Sequence, residues 1–519
     1  VNSFKGTPRQ ALFGATLGFF IGFAAVALFG PTASRFQELM GLSPMQVGFL
    51  VAMPALSGSL LRIPFSAWVD TTGGRRPFVV LLGLSTTGMV GLSLVVHLFY
   101  PDRLHQGLYP LLLALGVLSG CGIAVFSVGI SQVCYWFPRP RQGRALAVFA
   151  GVGNLAPGIF SFLLPVALVS WGLLGSYMAW LLLLVAGTGA YALVGRNAWY
   201  FQLRERGTAP EEARRIAAAQ GQEFFPSGGI REGLVLSARN WKTWALVCMY
   251  FSTFGGFVAL TAWLPTYWTS YFGLTTVAAG ALTGVYSVLT SGIRILGGML
   301  SDELREGGEN TAILALFIML FGAVLMTGTE RFQVAVPGML LMAVGMGICN
   351  AAVFRIVPQE VPDAVGGAAG WIGGLGAFGG FVIPPIMGFA VRREGELGYS
   401  LGFITFVVLA LLSLSLVWVL KYSRPVPAMQ TSQIPADGEV SGYGVFIDAS
   451  RCWEQAENGP PCDLCVRACP EVFEQPHPNA PARVRRGIEP GVHLSKVREA
   501  VRRCPGKSIL LIERAAADP

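Results

Sequence analysis

The sequence predicts an all-α polytopic membrane protein, with twelve helices in two halves of six, followed by a small soluble α+β domain. Three observations carry this reading. Of 519 residues, 53% are hydrophobic and only 13% charged, and the mean hydropathy is +0.57. A soluble chain carries about 25% charged residues. About twelve runs are long and apolar enough to cross a bilayer, which takes roughly 20 residues each. Beyond Leu420 the composition turns polar, and five of the nine cysteines gather there. The 66 glycines suit closely packed membrane helices better than an ordinary soluble core. Fibrous, disordered and nucleic-acid-binding classes fit poorly, because the net charge of +8 is spread through loops.

The apolar runs lie near 11–30, 45–69, 77–99, 109–136, 145–169 and 171–194, then near 243–268, 275–300, 311–328, 334–353, 366–390 and 399–420. The first half is therefore 1–194 and the second 243–420, joined by a polar loop, 195–242, that carries Arg204, Arg206, Arg214 and Arg215. Arg75, Arg76, Arg139, Arg141 and Arg144 share the side of that loop. The positive-inside rule then places the loop and both termini in the cytoplasm of a multi-pass cytoplasmic-membrane protein, embedded in lipid. The first run has no convincing cleavage site and is read as retained. Residues 421–440, with Pro425, Pro427, Pro435 and Gly438, read as a linker to a domain over 441–519.

The halves share landmarks. SGSLLRIPFSAWVD at 57–70 sets Arg62 eight residues before Asp70, and TSGIRILGGMLSD at 290–302 sets Arg294 eight before Asp302. Both pairs fall on the second run of their half, as internal duplication requires. Asp70 is followed by Arg75 and Arg76, a pattern similar to the cytoplasmic loop motif of the major facilitator superfamily, whose Asp and Arg latch one conformational state. Asp70, Arg75, Arg76 and Asp302 are thus gating candidates, the alternative being ordinary charged helix ends.

Arg62 and Arg294 are different, since they lie inside runs. An ionised Arg at membrane depth costs at least about 2.5 kcal/mol and needs a partner. No run carries an Asp or Glu in its interior. The expected partner is therefore a soluble anion, and a guanidinium fork matches the edge of an oxyanion. The missing carboxylate also favours anion exchange over proton symport.

These features resemble the nitrate/nitrite porter family of the major facilitator superfamily over most of 10–420. The resemblance rests on RIP at 62–64, GVGNLAPG at 151–158, NAAVFRIVP at 350–358 and GGLGAFGGFVIPP at 373–385. It implies a twelve-helix major facilitator fold and nitrate/nitrite transport, by antiport and alternating access. It also implies an anion site of Arg62, Arg294, Phe126, Tyr250, Phe254 and Asn154. Tyr250 and Phe254, four residues apart, share one helix face. Exchange of another small anion, such as formate or oxalate, is the alternative.

In the tail, CWEQAENGPPCDLCVRACP at 452–470 and Cys504-Pro505 resemble a single-cluster bacterial ferredoxin. The resemblance implies one [4Fe–4S] cluster on Cys452, Cys462, Cys465 and Cys504, with Cys469 as the alternative ligand and [3Fe–4S] or zinc as alternative occupants. The nine residues between Cys452 and Cys462 depart from the usual two. Such a domain would be an electron carrier for a cytoplasmic nitrate or nitrite reductase, or a redox sensor on the porter. A further reading makes the membrane part an anchor for electron transfer. No flavin, molybdenum or haem motif is evident, and the chain is read as a transporter rather than an enzyme.

Overall fold

The computed structural model describes residues 4–226, 230–303, 307–361, 364–423, 443–447, 452, 462–475, 482–485, 490–504 and 508–513. Among these, eleven helices are long and apolar enough to cross a membrane. They are Pro8–Met40, Pro44–Thr72, Arg75–Phe99, Gln106–Trp136, Arg141–Val194, Trp241–Phe272, Thr276–Ser301, Gly308–Met326, Phe332–Glu360, Val365–Leu401 and Ile404–Tyr422. Arg141–Val194 has 54 residues. At 1.5 Å per residue that is about 80 Å, more than twice the roughly 30 Å hydrocarbon thickness. It is also broken at Gly172, whose φ of 67° and ψ of −176° no helix contains. It therefore supplies the fifth and sixth crossings, and Trp241–Phe272 becomes the seventh. The outward faces are apolar, with Val169, Leu182, Leu193, Phe321 and Val408 all exposed, as lipid contact requires.

Several crossings are interrupted where the sequence dictates it. In the second, Pro64 has no N–H to give the carbonyl of Leu60, and the helix parts at Leu61 before resuming at Arg62. Two crossings open into π turns, Phe251–Gly255 in the seventh and Ile372–Gly376 in the eleventh. The central loop is partly helical: Trp199–Glu205, Pro210–Ala219 and Ile230–Arg239 form short helices. Pro210 opens its helix, Glu211 and Glu212 meet the positive end, and Ala213 and Ala217 bury one face.

The chain divides into two compact units, Val1–Arg424 and Pro425–Pro519. The linker lies outside the described residues from 424 onward. The described part of the second unit is a small α+β region. Strand β1 (Tyr443–Ile447) pairs antiparallel with β4 (Ile509–Glu513), and β2 (Phe473–Glu474) pairs with β3 (Arg483–Val484). Val497 and Ala500, on the helix Leu494–Arg503, join Val445, Phe473 and Ile509 in its core.

Glycine sets the distance between several crossings. A Cβ on Gly120 would lie 2.0 Å from the carbonyl oxygen of Pro54, so the second and fourth crossings touch through backbone. Gly172 has nothing within 4 Å of the same position. Gly120→Ala should therefore lower thermal stability in detergent by about 1–3 kcal/mol, the usual overpacking cost. Gly172→Ala should cost about 1–3 kcal/mol from backbone strain alone, since glycine is nearly the sole residue that populates these angles. A Gly120→Ala variant that unfolds at the parent's temperature would refute this account of the helix contact.

Candidate anion site between the two halves

Arg62 follows the break at Leu61 and is 1% exposed. Its Nε donates to the carbonyl of Gly58 at 3.1 Å, and its Nη1 donates to the carbonyl of Gly373 at 2.9 Å. Gly373 belongs to the π turn of the eleventh crossing, so this one side chain links the two halves. Ser127 Oγ donates to the backbone carbonyl of Arg62 at 3.2 Å and fixes the turn that presents it.

Aromatic faces complete the surroundings. The Arg62 guanidinium carbon stands 5.0 Å from the ring centre of Phe126 and 5.2 Å from that of Phe254. Arg294 stands 5.9 Å from the same Phe254 ring. Tyr250 stacks on Phe254 with centroids 4.8 Å apart and planes within 3°. The expected shared face of Tyr250 and Phe254 is thus present, although the backbone between them has opened into a π turn. Gly376 makes room for this stack, since a Cβ there would come within 2.7 Å of the Tyr250 ring.

The charges in this cluster are uncompensated. Among the described residues, neither Arg62 nor Arg294 lies within ion-pair distance of a carboxylate. The buried carboxylates Glu309 and Glu360 sit at the ends of their crossings, and Glu360 pairs with Lys242 at 2.5 Å. Arg62 Nη2, Arg294 Nη1 and the Tyr250 hydroxyl are all buried without a hydrogen-bond partner. Cation–π contact contributes about 2 kcal/mol when desolvated, well short of the cost of burying an ion. The cluster presents spare N–H and O–H donors to whatever enters it.

Asn154, in the fifth crossing, donates from Nδ2 to the carbonyl of Ala150 at 2.7 Å and leaves Oδ1 unpartnered. Its own carbonyl accepts from Ser291 Oγ at 2.8 Å, which joins the fifth crossing to the eighth one turn before Arg294. Phe23, which no motif singled out, also belongs here, and Asn350, the first residue of NAAVFRIVP, is a further buried amide. Phe23, in the first crossing, lies 6.4 Å from Phe254 with planes within 10°. Asn350, in the tenth, is 1% exposed, and neither end of its amide has a partner. Asn350 was marked by its place in that motif and by its polarity in an apolar run; Phe23 gave no signal.

The gating candidates are placed differently from one another. Asp70 accepts a hydrogen bond from the Tyr135 hydroxyl of the fourth crossing. Arg75 turns instead to the chain end of the sixth crossing, its Nη2 donating to Ala192 O at 2.9 Å and its backbone N–H to Asn197 Oδ1 at 2.9 Å. Arg76 faces Glu205 of the central loop at 3.9 Å. The side chain of Asp302 lies outside the described residues.

The cysteine tail departs from the sequence expectation. Among the described residues, which include Cys452, Cys462, Cys465, Cys469 and Cys504, no three His, Cys, Asp or Glu side chains group closely enough to hold a metal ion. The iron–sulfur cluster is thereby corrected, and the electron-carrier role and reductase partner that rested on it go with it. The thiols are used in packing. Cys469 and Cys465 are buried in the tail core, with Cys452 and Cys504 against its edge, and Cys504 Sγ lies 3.1 Å from Ser508 Oγ. A metal-bound thiol is a thiolate. Burial pushes the Cys465 thiol up to about 11, with nearby Cys452 acting in the same direction. Among the described residues, nothing in the geometry of this region is ferredoxin-like.

Comparison with known proteins now places the chain. Helical crossings in two halves around a buried polar cluster define a secondary transporter. Residues 15–384 match the Major Facilitator Superfamily, and the chain belongs to that family. It is 30% identical over 396 residues to the probable nitrate/nitrite transporter NarK2 of Mycobacterium tuberculosis, covering 76% of this chain and 91% of that one. It is 29% identical over 459 residues to the probable nitrate/nitrite antiporter NarK1 of Thermus thermophilus, covering 83% and 96%. Among solved structures, the partially occluded, inward-open xylose transporter XylE from E. coli superposes with a TM-score of 0.61 at 16% identity, over 81% of this chain and 98% of that one. This last likeness establishes the fold alone. The chain is thus a facilitator-superfamily transporter related to NarK-type porters.

Two outcomes test the local geometry. Gly376→Ala should displace the Tyr250 ring, quenching or shifting the near-ultraviolet signal of the seventh crossing without unfolding the protein. In the tail, alkylation at pH 7 should reach Cys462 well before Cys465, and the Cys465 rate should rise about tenfold per pH unit up to about pH 11. Rapid labelling of Cys465 at neutral pH would show that its thiol is not held protonated.

Proposed function

We propose that this protein exchanges nitrate and nitrite across the cytoplasmic membrane by alternating access. The observation that carries the proposal is the pair of guanidinium groups, buried Arg62 and half-buried Arg294, set against one ring, with no carboxylate beside them among the described residues. Nitrate and nitrite are planar and monovalent. Ring faces suit their flat sides, and guanidinium and phenol donors suit their oxygen edges. The names of the relatives point to the same substrates. In this reading Arg62, Arg294, Phe126, Tyr250, Phe254 and Asn154 form the anion site.

Two like charges around Phe254 repel in the empty site, and an anion between them screens that repulsion. Occupancy would therefore draw the halves together, and an empty site would resist closure; this favours obligatory exchange over uniport. Asp70, Arg75 and Arg76 would act at the cytoplasmic end, where Tyr135 and the central loop hold them. Both termini and the central loop would lie in the cytoplasm, following the basic loops.

The test is uptake of labelled nitrate into proteoliposomes with nitrite inside. Uptake should require the internal nitrite. Arg62→Ala and Arg294→Ala should each lower it at least 100-fold, and Arg62→Lys should restore little, since a point charge lacks the planar fork. Nitrate uptake by Arg62→Ala at the wild-type rate would remove the site assignment. Transport of formate or oxalate with no nitrate flux would replace the substrate.

A further inference from the structure

Asn350 is the polar group in the membrane unit with the least local reason to be there. It is 1% exposed, and both its Nδ2 and its Oδ1 are buried without a partner. A buried amide left unpaired at both ends costs free energy at each, and native structures rarely tolerate one without a use.

Its position says what the use is. Met346, Asn350 and Phe354 are spaced four residues apart on the helix Phe332–Glu360, so they lie along one stripe. The outer two members have identified contacts. Met346 Sδ accepts from the Tyr286 hydroxyl at 3.1 Å, and its methyl carbon lies 3.0 Å from where a Cβ on Gly256 would be. The ring of Phe354 meets that of Tyr250 edge-on at 5.1 Å. Asn350 thus faces the stretch of the seventh crossing between Tyr250 and Gly256, the level of Phe254. That ring carries both guanidinium groups.

We infer that Asn350 is a further donor of the anion site, its amide N–H meeting an oxygen of the bound anion from the second half. This rests on the nitrate/nitrite reading above and adds to it a contact that neither arginine supplies. Arg62 keeps only Nη2 without a partner, its Nε and Nη1 being held by carbonyls, and Arg294 offers Nη1, so each guanidinium meets one oxygen. A donor from the tenth crossing reaches a third oxygen, so it serves a trigonal, three-oxygen anion more than a bent, two-oxygen one. Asn350 then contributes to preference for nitrate over nitrite.

The test uses the purified full chain in nanodiscs, with nitrate and nitrite binding measured by calorimetry and thermal unfolding followed with and without nitrate. Asn350→Leu keeps the shape and removes both polar ends. It should weaken nitrate binding about tenfold or more and nitrite binding less. Its unfolding temperature without nitrate should stay level or rise, because an unpaired amide has been removed, while the rise on adding nitrate should shrink. A merely structural asparagine would give the opposite pattern, lower stability with unchanged affinity. Asn350→Asp, which is isosteric, should weaken both anions further by placing a carboxylate before the guanidinium groups. Wild-type binding of both anions by both variants overturns the role of Asn350 and leaves the substrate reading standing. Absence of nitrate and nitrite binding in the unsubstituted protein overturns both.

Discussion

A buried positive charge without a buried negative one is the constraint around which the membrane unit is built. Arg62 is buried, and among the described residues no carboxylate lies beside it. Its field is met by two backbone carbonyls and two ring faces, which together offset part of the desolvation cost. Supplying a carbonyl from a different crossing requires close backbone approach. That explains glycines where larger residues would hold the eleventh crossing away.

The same side chain joins the halves. Its backbone belongs to the second crossing and its Nη1 bond to the eleventh, so any motion that parts these crossings must exchange that bond for another. Phe23 and Phe126 from the first half and Tyr250 and Phe254 from the second form one stack of rings around it. The proposed anion site and the contact between halves are therefore one structure rather than two. A ligand that competes for the guanidinium acts on both at once.

Much of this was legible in the sequence, because burial of charge in an apolar run is expensive enough to be noticed in one dimension. Arg62 and Arg294 stand out for that reason, and the spacing of Tyr250 and Phe254 announces a shared face. The rest depended on geometry that residue types do not encode. No composition marks the carbonyl of Gly373 as a hydrogen-bond acceptor for a distant arginine, and Phe23 is one of 34 phenylalanines. The polar central loop hid three short helices, since alanine faces that bury against a neighbour look unremarkable without it. In the tail, motif spacing misled. Thiols that match a cluster pattern in sequence also fit an apolar core, and burial at Cys465 and Cys469 prevails here.

The π turns at Phe251–Gly255 and Ile372–Gly376 have a consequence for how such a site arises. A π turn holds one residue more than the α turn it replaces, and that residue rotates everything on one side of it by about 100° relative to the other. The two turns adjoin, Gly255 approaching the carbonyl of Gly376. One contains the ring beneath both guanidinium groups, and the other contains the carbonyl that Arg62 holds. Single-residue insertions in two neighbouring helices therefore suffice to turn an aromatic face and a peptide oxygen toward the same point. One extra residue in each of two adjoining turns is what sets a ring and a peptide oxygen against the same guanidinium.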